Sequence, residues 1–126
     1  MPSSFDYAIV RVVPRVERGE ILNAGVIVSC ATERFLMARV ALATDRLRAL
    51  SPSTDAGEIA EALALIPLIA AGDKRGGPIA ELPRGERFHW LTAPRSAVIQ
   101  TSPVHTGLCD SPEGALEALL ARLVLM

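Results

Sequence analysis

The sequence predicts an α+β domain: an antiparallel sheet of about five strands with helices packed mainly on one face. Three observations point there. Apolar residues alternate with a period of two through the first third of the chain, and recur at helical spacing in the middle and at the end. The two patterns are grouped in the order β-β-β-α-α-β-β-α, without the strict strand–helix alternation of a parallel sheet. A chain of 126 residues then has room for a single domain, 1–126.

Tyr7 to Val13 reads as the first strand, with Tyr7, Ile9, Arg11 and Val13 on one face and Ala8, Val10 and Val12 on the other. Pro14 ends it or marks an edge. Ile21 to Cys30 is the second strand, and Gly25 within Asn23-Ala24-Gly25 suggests a bulge or a close backbone approach. Phe35 to Leu42 completes a three-stranded meander. Thr44 to Leu50 is a short helix with Thr44 as its expected N-cap, broken at Ser51-Pro52. Asp55 followed by Glu58 opens a second helix whose apolar stripe is Ile59, Leu63, Ile66 and Ile69 or Ala70. Pro67 should kink or end it, and Gly72 stops it. From Ile79 to Gly107, Pro83 and Gly85 argue for irregular chain, with short strands at Val98 to Gln100 and Val104 to Thr106. Ser111-Pro112-Glu113 is a strong start for the last helix, striped by Leu116, Leu119, Leu120, Leu123 and Val124.

Composition excludes several classes. The chain is 50% hydrophobic and 21% charged, with a mean hydropathy of +0.33, unlike a disordered or collagen-like sequence. The net charge of −1 offers no global polycation, so nucleic acid is not an expected partner. The longest apolar run, Ala62 to Ala71, is shorter than the roughly 20 residues a membrane span needs. No secretory signal opens the chain, so Cys30 and Cys109 are expected as reduced thiols in the cytoplasm.

One irregular stretch concentrates chemically distinctive residues. Arg87 to Ser96 holds the lone Trp, one of the two His and two Arg, and Val104 to Cys109 follows closely. Arg87, His89, Trp90, Arg95 and His105 are the candidate ligand- or partner-binding residues. The guanidinium groups would grip an anion while an aromatic ring stacks on the ligand. The structural alternative puts Phe88 and Trp90 in the core and pairs the Arg residues with Glu81, Glu86 or Asp110. His105 and Cys109 would align as metal ligands on a helix, but Pro103 and Gly107 argue against one there, and no metal or other cofactor is expected. Cys109 as a nucleophile would need a His base beside it, with an acid such as Asp110 to orient that base. Asn23 is expected to hydrogen-bond a neighbouring loop, although with Glu20 it would also suit a cleft wall. Arg11, on an apolar strand face, would need a partner such as Glu86 if buried. The leucine stripe of the last helix fits either the core or an interface between two copies.

The stretch RFHWLTAPRSAVIQTSPVHTGLC, from Arg87 to Cys109, resembles a bacterial family defined as domain of unknown function 3037. YAIVRVVP and RGEILNAGVIV, near the start, are similar to the amino-terminal pattern of that family. The resemblance covers nearly the whole chain and brings no established activity or catalytic residue. It implies a kinase-like protein of the HipA type as a partner. Two functions are therefore expected alternatives: a non-enzymatic binding or accessory module, or a small enzyme or sensor with an Arg/His-lined cleft for a phosphate- or nucleotide-like anion.

Overall fold

The computed structural model describes residues 2–95 and 97–126. The strands are β1 (Ser3–Val12), β2 (Leu22–Cys30), β3 (Phe35–Val40), β4 (Ile99–Thr101) and β5 (His105–Cys109); the helices are α1 (Thr44–Leu50), α2 (Ala56–Ala71), α3 (Arg84–Thr92) and α4 (Pro112–Leu123). The strands form one antiparallel sheet in the order β3-β2-β1-β4, with β5 also paired to β1. This is the α+β class the alternating and helical periods predict.

The meander follows its sequence pattern. Val10 faces Gly25 but Arg11 faces Asn23, so Ala24 is an extra residue in β2. That bulge lies where Asn23-Ala24-Gly25 interrupts the apolar run. Gly25 is required there: a Cβ would sit 2.6 Å from the Arg39 carbonyl oxygen. β1 begins at Ser3, earlier than its apolar pattern, because β5 pairs with Ser3 through Tyr7.

β4 takes the same edge of β1 further along, at Val10 to Val12. Ser102 bridges the gap between the two short strands. Its Oγ accepts from the Ile9 N–H at 2.8 Å and donates to the Pro103 carbonyl at 2.9 Å. Its own N–H donates to the Ile9 carbonyl at 2.9 Å.

Each face of the sheet has its own core. On one, Val10, Val12, Ile27, Leu36 and Ala38 pack against Leu47 of α1, Leu63 and Ile69 of α2, and Leu91 of α3. On the other, Phe5, Val26, Val28 and Cys30 pack against Leu116, Leu119, Leu120 and Val124 from α4 and its C-cap. Three helices thus cover one face and the last helix covers the other. β2 is buried from both sides, as its near-continuous apolar run requires.

Of the expected helix boundaries, Asp55, Ser111 and Gly72 hold and Thr44 is corrected. Asp55 caps α2 by accepting from the Gly57 and Glu58 N–H groups, and Ser111 caps α4 by accepting from Gly114 N–H. Thr44 does not cap α1; it is the first helical residue, behind Ala43. Pro67 does not end α2, which runs to Ala71 and stops at Gly72 in the left-handed conformation. Only the carbonyl four residues back loses its helical donor at Pro67, while Leu63 and Ile69 hold both sides of it in the core.

Candidate functional site

The segment read as irregular is a helix, α3. Pro83 stands at its N-cap, Glu86 lies in its first turn, and Ala93-Pro94 follows its end. Phe88 and Leu91, three apart, turn toward the α2 side of the sheet, and Thr92 Oγ1 donates back to the Phe88 carbonyl at 2.9 Å. Gly85 and two flanking prolines mask this short element in the sequence. The element order therefore gains one helix between α2 and β4.

The five candidate residues do not converge on one hollow. Arg87 is half-buried and structural: Nη1 donates to the Leu82 carbonyl at 2.7 Å and Nη2 to the Ala70 carbonyl at 3.4 Å. It ties α3 to the end of α2 through carbonyls, not through Glu81, Glu86 or Asp110. His89 is exposed on α3. His105 lies across the sheet, where its ring packs 5.3 Å from that of Tyr7 on the α4 side. The two imidazoles belong to opposite faces and do not line a common cleft, which the alternative Arg/His reading would need. Ser96, the end of the candidate stretch, lies outside the described residues.

Trp90 and Arg95 do come together. The Arg95 guanidinium carbon sits 4.7 Å above the indole, and Nη2 donates to the Trp90 carbonyl at 2.6 Å. The ring quadrupole and the terminal carbonyl of α3 hold the cation in place. Neither Glu81, Glu86 nor Asp110 pairs with it among the described residues.

This bracket stands at the mouth of an apolar groove of about 170 Å³ between α2, α3 and β4. Leu65, Ile66, Ile69, Leu91 and Ile99 supply most of its walls, and Thr101 joins them from β4. Thr101 Oγ1 is buried without a hydrogen-bond partner among the described residues. Leu65 is 46% exposed and Trp90 38%, so Trp90 is not the core residue of the structural alternative, although Phe88 packs against the core. Sequence reasoning missed Leu65. The available signal was that α2, from Ala56 to Ala71, carries charge only at Glu58 and Glu61; a helix apolar on almost every side has more apolar surface than one core can cover.

The remaining candidates resolve individually. Asn23 Nδ2 donates to the Leu123 carbonyl at 3.0 Å, holding the end of α4; Glu20 pairs with Arg18. Arg11 is half-buried, its Nε lacks a partner among the described residues, and Glu86 does not supply one: α3 lies on the opposite face from the Arg11 side chain. Cys109 belongs to a strand at the α4 core, and burial, with Cys30, Asp110 and Glu33 nearby, pushes its thiol pKa up. That is the reverse of thiolate activation. Asp73 is held well below the carboxylate range, at about 2, by hydrogen bonds from the Arg75 side chain and N–H, so Arg75 is matched within the chain. Leu116, Leu119 and Leu120 of the last stripe are buried in the monomer core, while Leu125 and Met126 stay exposed.

Fold and site together define a small α+β protein with an apolar surface groove bracketed by an Arg–Trp pair. No helix among the described residues is long and apolar enough to cross a membrane. A family profile described as "Protein of unknown function (DUF3037)" matches residues 7–124, and the chain belongs to that family. No curated protein and no solved structure matches it.

Proposed function

We propose that this protein is a binding module whose recognition surface is the groove between α2, α3 and β4. The observation that carries the reading is the open apolar groove with the Arg95–Trp90 bracket at its mouth. Leaving Leu65 in water sacrifices part of the roughly 1.5–3 kcal/mol its burial would contribute, and a partner that covers it recovers that stabilisation. The enzyme or sensor reading with an Arg/His cleft has less support. Arg95 alone of its Arg and His candidates lines the groove; Arg87 is committed to carbonyls and His105 is on the other face.

A HipA-like kinase, implied by the family resemblance, is the first partner to test. Calorimetry with the purified kinase should show binding that Leu65→Asp abolishes and His89→Ala leaves intact. Equal affinity for wild type and Leu65→Asp rejects the groove as the contact. No heat with wild type rejects this kinase as the partner.

A further inference from the structure

A second hollow adjoins the groove. It measures about 270 Å³, is lined by Val13, Val16, Gly19 and Ile21, and shares Arg95 and Gln100 with the first. Val16 is 42% and Ile21 51% exposed, and Val98 is exposed beside Val13, whose N–H its carbonyl accepts at 2.6 Å. Gly19 adopts a left-handed φ of 71°, and nothing lies within 4 Å of where its Cβ would be, so the hollow stays open on that side. The surface is therefore two apolar depressions with one guanidinium on their common rim.

Resting on the reading of the groove as a recognition surface, we infer that the two hollows together take one polypeptide segment of a partner, with a large apolar side chain in each and an Asp or Glu between them on Arg95. Two separate depressions suit side chains carried on one backbone, whereas a compact small molecule fills only one. The acid follows from charge. Arg95 uses one donor on the Trp90 carbonyl, has no carboxylate partner among the described residues, and keeps further N–H groups for a bidentate contact. The indole behind it fixes the guanidinium plane before binding, which lowers the ordering cost.

The test is selection of a random twelve-residue peptide library on the 126-residue chain, followed by titration of enriched, Trp-free peptides. Trp90 is the sole tryptophan, so its emission reports on the groove directly. The expected consensus places an acid between two large apolar residues. Leu65→Asp and Ile21→Asp should each weaken binding at least tenfold, and Arg95→Gln about tenfold. Replacing the peptide's acid by Ala should cost about tenfold against wild type and nothing further against Arg95→Gln. All three positions are exposed, and circular dichroism checks that each variant folds.

Peptides lacking the acid, or bound equally by Ile21→Asp, overturn the two-anchor segment but leave the groove reading standing. Peptides that none of the three variants weaken overturn both. Enrichment of no peptide overturns the inference. So does saturation of the Trp90 response by phenylacetate alone, or a light-scattering dimer that uses this surface.

Discussion

The two faces of the sheet differ in how they are covered. On the α4 side, one helix with a clean leucine stripe covers the core, the Asn23 side chain holds its last turn, and a hollow remains along its β5 edge beside Phe5, Leu108 and Leu119. On the α2 side three helices share the work and leave a groove where α2, α3 and β4 meet. The arginines of α3 and its exit repeat the contrast. Arg87 spends its guanidinium on the ends of neighbouring elements, whereas Arg95 rests on an indole at the surface. A basic residue near an aromatic cluster is therefore functional or structural according to what its tip reaches.

Substitutions can break that contrast, beginning with the largest effect. Leu116→Ala and Leu63→Ala remove one fully buried leucine from each core. Each should cost about 2–5 kcal/mol in chemical denaturation. A single shared transition in both variants shows that the two faces unfold as one unit; two transitions would show that they do not.

Arg87→Met should cost about 1–3 kcal/mol, because it strips the donors from the Leu82 and Ala70 carbonyls. Arg95→Ala should stay within about 0.5 kcal/mol, as expected for an exposed side chain. Equal losses would erase the distinction between the two. Ser111→Ala should cost about 1 kcal/mol by removing the acceptor for Gly114 N–H, a cap on the α4 face only.

The smallest effect is electrostatic. Asp73 has a folded pKa of about 2, below its ordinary 3.8. Its contribution to stability is therefore complete above pH 3.8 and lost as pH falls through about 2. Comparing acid unfolding of Asp73→Asn with wild type should show a shallower slope in that window. The same slope in both would remove Asp73 as the cause.

Much of the frame was legible in the sequence because it depends on local patterns. Period-two alternation located β1 to β3, and Ser111-Pro112-Glu113 located the start of α4. α3 was hidden by Gly85 and Pro83, and by having only Phe88 and Leu91 to turn inward. The site was half legible. Trp90 and Arg95 stand out by chemistry, but Leu65, Val16 and Ile21 look like any apolar residue, and their exposure is decided by what distant elements fail to cover. For His89 and His105 the sequence left their separation open, because nearness along the chain does not reveal an intervening sheet.

The Ser102 bridge has a mechanical consequence. Pro103 splits what would be one long edge strand, and a hydroxyl replaces the missing rung. β4 and β5 are in effect two short planks fastened to the same beam at a common nail. β4 and β5 are thus each held to β1 in a register of their own, β4 at Val10 to Val12 and β5 at Ser3 to Tyr7.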